Sequence, residues 1–207
     1  VLFLDELGEF APSVLDALRQ PLEEGVIRVA RAHGSATLPA RFLLVAASNP
    51  CPCGGGAPGE CECDEAARHR YLRRLSGPLL DRFDLRVGVD RTHVDDLLAT
   101  EAAEPTALVR ARVDAARAVA VARSGCLNAA LTAATLDELA PLGERARALL
   151  RAELEAGRLT GRGYHRVRRV ARTIADLHGD EAVDEPHVAL ALGLRVRLAR
   201  GRSRGAA

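Results

Sequence analysis

Two textures of apolar patterning divide the chain. Val1–Leu4 and Phe42–Ala47 are continuous apolar runs bounded by polar and turn-forming residues, the pattern of strands buried in a parallel sheet, and Leu85–Val89 is expected to be a third strand. Pro12–Glu24 places Val14, Leu15, Leu18 and Leu22 on one face of an amphipathic helix. The stretch from Val26 toward Arg41 reads as a β-hairpin turning at His33–Ser35. From about Thr92 the period changes to that of helices. Val109, Val113, Ala116 and Ala120 make one stripe, and Val167, Val170, Ala171 and Ile174 a second. Asp184 followed by Pro186 starts a further helix, with Val188, Ala191 and Leu192 facing inward. An α/β piece therefore precedes a helical one, with no internal repeat.

Composition narrows this only a little. With 207 residues, 48% of them hydrophobic, the chain can bury one generous core or two small ones. Lys+Arg is 29 against Asp+Glu at 28, so net charge gives no sign of a general polyanion binder. No lysine occurs; every fixed cation is an arginine, which keeps its charge when buried and grips phosphate or carboxylate through paired hydrogen bonds. Val1 already lies inside an apolar run, so the chain is expected to be a fragment of a longer protein. No apolar stretch is long enough to span a membrane. Four of the five cysteines crowd between Cys51 and Cys63, which argues against a dispersed disulfide framework and for the cytoplasm.

Three polar features follow the expected strands. Asp5 and Glu6 end the first; at such an edge one carboxylate can hold Mg²⁺ and the other can orient an attacking water, although a strand end leading into a solvated turn has the same pattern. Asn49 ends the second, where it can bind a terminal phosphate or simply open a turn before Pro50. Arg82 lies between Asp81 and Asp84 before the third, a setting that equally describes a surface ion pair. Cys51-x-Cys53 and Cys61-x-Cys63 form two thiol pairs around a Gly/Pro-rich loop. Four thiolates there can hold a structural Zn²⁺, with His69 able to replace one ligand; reduced free thiols are the plainer alternative. Cys126 is expected to be a small core residue.

The order of these features, with a helical region behind them, resembles the AAA+ ATPases. The runs from Ala47 to Gly54, from Arg70 to Leu85 and from Gly163 to Leu177 are similar to the magnesium-chelatase-like YifB/ComM family over nearly the whole chain. The resemblance implies an α/β fold: the C-terminal half of an AAA+ P-loop NTPase αβα core over residues 1–90, then an all-helical lid over 91–200. Residues 201–207, rich in arginine and glycine, are expected to be a disordered basic tail. The resemblance implies Asp5 for Mg²⁺, Glu6 for activating water, Asn49 as the phosphate-sensing amide, and Arg82 as an arginine finger reaching a neighbouring subunit. Arg162 corresponds to the nucleotide-sensing arginine of the lid, with Arg166 and Arg169 as alternatives in register. ATP and Mg²⁺ are the implied cofactors and a homo-oligomer, a hexamer in the family, the implied assembly. No Gly-x-x-x-x-Gly-Lys-Ser/Thr loop occurs in the sequence, so the phosphate cradle is expected upstream and the chain alone is expected not to hydrolyse ATP.

Hairpins at the equivalent place in ring-forming relatives project toward a central pore. Arg28, Arg31, His33 and Arg41 are therefore candidates for contacting a DNA backbone without reading its sequence, against an ordinary solvated hairpin. The resemblance implies a DNA-remodelling motor such as a branch-migration helicase. The competing expectations are the ATPase subunit of magnesium chelatase and, for the chain by itself, a non-enzymatic binding module.

Overall fold

A computed structural model describes residues 1–32, 34–55, 61–89, 92, 94, 98 and 104–195 of the chain. It is a mixed α/β structure that divides into two compact units, Val1–Phe83 and a second beginning at Asp84.

In the first unit, β1 (Leu2–Leu4) lies parallel to β4 (Leu44–Ala46), with Leu2 opposite Leu44 and Leu4 opposite Ala46. Two strands of like direction finish at the same edge, so the residues after Leu4 and after Ala46 emerge side by side. Between these strands the chain makes a 3₁₀ turn (Leu7–Glu9), helices α1 (Pro12–Ala17) and α2 (Arg19–Glu24), and the antiparallel hairpin of β2 (Val26–Arg31) and β3 (Gly34–Pro39). After β4 come α3 (Glu65–Arg74) and α4 (Gly77–Leu80). Leu7, Leu15, Leu75 and Leu79 form the core, backed by Leu4, Phe10, Leu18, Leu22, Ala46 and Phe83. The parallel pair is covered on one side only: Leu2 and Leu4 are half-buried, whereas Phe3 and Val45 are exposed.

Two expectations change here. The single helix expected over Pro12–Glu24 is two short ones meeting at Leu18, because Pro21 has no N–H to give the carbonyl of Ala17 and its ring crowds that carbonyl. Within α1, Leu15 is buried whereas Val14, expected on the same inward face, is exposed. The strand expected at Leu85–Val89 is absent. Only an isolated bridge pairs Arg86 with Arg195, and without a partner strand Leu85, Val87 and Val89 stay exposed.

The second unit is helical: α5 (Thr106–Ser124), α6 (Ala133–Leu139), α7 (Glu144–Glu155), α8 (Gly161–His178) and α9 (Glu185–Gly193). Helix α8 packs against the other four. Its inward stripe of Val167, Ala171, Ile174 and Ala175 meets Leu136, Ala146, Leu150, Val188 and Ala191, the alanines permitting close approach of the helix axes. Thr160 caps α8 by accepting from the Gly163 N–H, and Asp184 caps α9 in a reciprocal box with His187. Only half of the α5 stripe reaches the core. Ala116 and Ala120 are buried, whereas Val109 and Val113 are exposed. Cys126 packs against this core from its margin.

One polar network lies inside the helical unit. The Asp176 carboxylate is fully buried and accepts from Arg123 at 2.6 and 2.8 Å, from Asn128 Nδ2 at 2.7 Å and from Arg172 Nε at 3.1 Å. Desolvation works against its charge, but the bonds from Arg123 and Asn128 and the field of Arg172 outweigh that and hold the carboxyl below its ordinary range.

Candidate functional site: a carboxylate edge beside a four-cysteine centre

The residues after β1 are shaped by their backbone. Asp5 accepts the Glu6 N–H on its own carboxylate at 2.9 Å. Glu6 then adopts a left-handed conformation, φ 50° and ψ 46°, the only non-glycine residue among those described with positive φ. That conformation costs about 1–2 kcal/mol for an L-residue, so the surroundings must hold it. Leu7 N–H donates to Ala47 O at 2.8 Å and Glu9 N–H to Glu6 O at 2.8 Å, closing the turn against the strand that leads to Asn49. Both carboxylates are exposed, and that of Glu6 has no partner among the described residues. Hard, unpaired carboxylate oxygens at the end of a parallel strand fit a hydrated Mg²⁺. Asn49 is exposed at the neighbouring strand's exit, and its side-chain amide likewise has no partner among the described residues.

Arg82 is committed within the unit. Its guanidinium donates to Glu23 and, at 2.6 Å, to the carbonyl of Pro78, with the side chain 9% exposed. Arg162 is the second residue of α8 and exposed. Its alternatives in register are both engaged: Arg166 pairs with Asp84 at 2.8 Å and Arg169 donates to Leu131 O at 2.7 Å. In the hairpin, Arg28 pairs with Glu24, Arg31 stands opposite Gly34, and the stem of Arg41 crosses Gly25. The turn expected over His33–Ser35 comes earlier, because Gly34 and Ser35 already pair with Arg31 and Ala30 as the first residues of β3; His33 itself lies outside the described residues, as does the tail 201–207.

The four clustered cysteines come together. The sulfurs of Cys51, Cys53 and Cys61 lie 3.3–3.5 Å apart, and all four ligand atoms, Cys63 included, fall within 4.8 Å of one another. A tetrahedral Zn–S₄ centre with Zn–S of about 2.3 Å has sulfur–sulfur edges of about 3.8 Å, close to this spacing. His69 is not part of the group. Without a cation the thiols ionise unequally. Cys53 is lowered to about 6 by a hydrogen bond from the Gly55 backbone and by those from Cys51, Cys63 and Cys61. Cys61 is pushed up to about 12: a bond from the Cys63 backbone favours its thiolate most, but its thiol neighbours and desolvation together prevail. Cys63 is raised as well, first by its bond with Cys53. One thiolate forms readily and suppresses the others, the behaviour of a site whose full ionisation needs a divalent cation.

Helix α3, capped by Asp64 directly after Cys63, joins this centre to the carboxylate edge. Tyr71, 3% exposed, lies over Gly8 so closely that a Cβ there would meet its ring at 2.2 Å. Its hydroxyl is 3.4 Å from Ser48 Oγ, and Arg74 donates to Gly8 O at 2.9 Å and to Glu9 at 3.1 Å. Tyr71 did not stand out in the sequence as part of the site, and Arg74 did so only as one of four arginines able to offset the charge of a four-thiolate metal centre, not as a partner of Gly8. The available signal was a glycine in the turn after two carboxylates and one of only two tyrosines in the chain. A second metal-like grouping, His178, Asp180 and His187, belongs to the helical unit. There Nδ1 of His187 accepts the Asp184 N–H at 3.0 Å in the cap of α9 and Nε2 faces Asp180 at 2.9 Å, so both ring nitrogens are engaged by the connection between α8 and α9.

Comparison with known proteins matches this arrangement along nearly its whole length. The family model described as magnesium chelatase, subunit ChlI, matches residues 1–97, and that for the C-terminal part of the same subunit matches residues 103–195. The chain is 44% identical over 196 residues to competence protein ComM of Haemophilus influenzae, covering 94% of this chain and 38% of ComM. It is 45% identical over 204 residues to the Mycobacterium tuberculosis protein Rv2897c, covering 97% and 40% respectively. Against YifB of Escherichia coli it is 40% identical over 196 residues, 94% of this chain and 39% of YifB. The chain thus spans about two fifths of the length of the curated relatives it matches.

Proposed function

Because the chain belongs to the magnesium-chelatase-like family of ComM and YifB, we propose that it carries the rear half of an AAA+ ATP-hydrolysing site followed by a helical lid. The observation that carries this reading is the parallel β1–β4 pair, which brings the Glu6 carboxylate and the Asn49 amide, both without a side-chain partner among the described residues, to one sheet edge. Mg²⁺ bound with ATP would supply charge neutralisation at the phosphates. Asp5 would hold it through water, and Glu6 would orient the attacking water and accept its proton. Asn49 would donate its amide to the terminal phosphate. Arg162 would sense nucleotide from the first turn of α8. The cradle for the remaining phosphates comes from outside this chain, whose sequence has no Gly-x-x-x-x-Gly-Lys-Ser/Thr loop.

Arg82 acts on the nucleotide of a neighbouring subunit in a ring, a hexamer in this reading, by exchanging the Glu23 carboxylate for a phosphate, two acceptors that suit the same guanidinium fork. The substrate is DNA, contacted through phosphates by Arg28, Arg31 and Arg41 of the hairpin. The four cysteines hold Zn²⁺, which fits a reducing, cytoplasmic setting. No helix among the described residues is long and apolar enough to cross a membrane. The competing reading is a chelatase-type ATPase acting on a partner protein, after the magnesium chelatase subunit for which the matching family is named. ATP turnover of the full-length protein with and without branched DNA decides between them. DNA stimulation that disappears in Arg82→Ala supports the DNA motor, whereas turnover indifferent to DNA supports the chelatase-type partner.

A further inference from the structure

We propose that α3 is a strut between the four-cysteine centre and the carboxylate edge, with Tyr71 and Arg74 positioning Glu6, so that metal occupancy at the cysteines governs hydrolysis. The proposal rests on the reading of Asp5 and Glu6 as the hydrolytic pair.

Glu6 is strained, and of the bonds that hold its turn, three come from within the turn and the adjoining strand while two come from Arg74 of α3. Arg74 fixes the carbonyl of Gly8 and the carboxylate of Glu9. Tyr71 presses on Gly8 where only a glycine leaves room, and through its hydroxyl touches Ser48, the residue before Asn49. A single buried ring therefore contacts both exits of the parallel pair, the one bearing Glu6 and the one bearing Asn49. Its position depends on where α3 starts. Cys61 and Cys63 immediately precede Asp64, the α3 cap, and they share their cluster with Cys51, two residues after Asn49. A cation among the four sulfurs ties the start of α3 directly to the exit of β4. Without it, the link between Asn49 and α3 is a Gly/Pro-rich loop in which Cys51 alone among the described residues is buried. Water activation demands placement to a fraction of an ångström, since a shift of about 1 Å in a reacting group can cost about 100-fold in rate.

The test measures ATP turnover and fluorescent-nucleotide binding in the full-length protein, zinc-replete, chelator-treated, and again after Zn²⁺ alone is restored. Zinc removal is expected to lower kcat about 10-fold or more, with nucleotide affinity changed less than about twofold, and restored Zn²⁺ to recover the loss. Tyr71→Ala and Gly8→Ala should reproduce the drop in kcat at unchanged affinity, Tyr71→Phe should rescue most of it by keeping the ring, and zinc removal should add little to Gly8→Ala. Turnover by the zinc-replete protein that ignores chelation and survives Gly8→Ala overturns the strut. No turnover by the zinc-replete protein in any condition overturns the reading of the carboxylate pair, and the strut with it.

Discussion

Replacing Asp176 with Asn keeps its shape and removes its charge, which tests whether the buried network holds the helix that bears Arg162. The carboxylate is fully buried and faces Arg172, 1% exposed, and Arg123, 23% exposed. Removing one partner of a buried ion pair costs about 3–5 kcal/mol. The structure points to the lower end of that range. Arg172 keeps the carbonyls of Glu181 and Asp180, and Arg123 is open enough to turn toward water. A loss of about 3 kcal/mol in a unit of roughly 100 residues lowers the midpoint by about 12 °C or more. The assay is thermal unfolding followed by circular dichroism at 222 nm, with Glu155→Gln at the exposed Arg151–Glu155 pair as a control expected to leave the midpoint nearly unchanged. Acid gives a second readout. The Asp176 carboxyl is lowered in the folded protein, so its stabilisation is complete above the ordinary aspartate value of about 3.9 and is lost as pH falls through the folded value. The variant should lack that part of the acid transition. A midpoint within about 4 °C of the parent, with an unchanged acid limb, would refute the reasoning.

Three further outcomes are expected. In metal-free protein at pH 7, iodoacetamide should label Cys53 first, because that exposed thiol is lowered to about 6 whereas Cys61 and Cys63 are raised, and Zn²⁺ should protect it; peptide mapping by mass spectrometry reads both. Cys51→Ser with Cys61→Ser should abolish stoichiometric zinc by elemental analysis, while Cys126→Ser should leave it intact. If the hairpin contacts DNA phosphates, Arg28→Ala with Arg31→Ala should weaken binding equally across sequences and reduce the slope of log affinity against log salt by about 2, measured by fluorescence anisotropy.

What the sequence disclosed was what is local. The cap at Asp184 and the α8 stripe follow from residues three or four apart, and the structure places them as the pattern implies; the hairpin was legible as such, but its turn falls before Gly34 rather than over His33–Ser35. The break at Leu18 was also local, signalled by Pro21, but the apolar periodicity of Pro12–Glu24 ran across it. Leu85–Val89 shows the opposite case. Its residues suit a strand, yet a strand exists only with a neighbour, and no local pattern supplies one. Val109 and Val113 carry the right spacing, but burial depends on whether another helix reaches that far. The cysteine cluster was legible because its members are close in sequence. The contact of Tyr71 and Arg74 with Gly8 joins positions more than sixty residues apart, and only the fold brings them together.

The most direct test of the central claim is to replace Glu6 with Gln in the full-length protein and measure ATP binding and ATP turnover side by side. The account predicts nucleotide affinity within about twofold of the parent and turnover lower by about 100-fold or more, the loss of a water-activating carboxylate. Turnover by Glu6→Gln equal to that of the parent would contradict it and leave the carboxylate edge a solvated strand end.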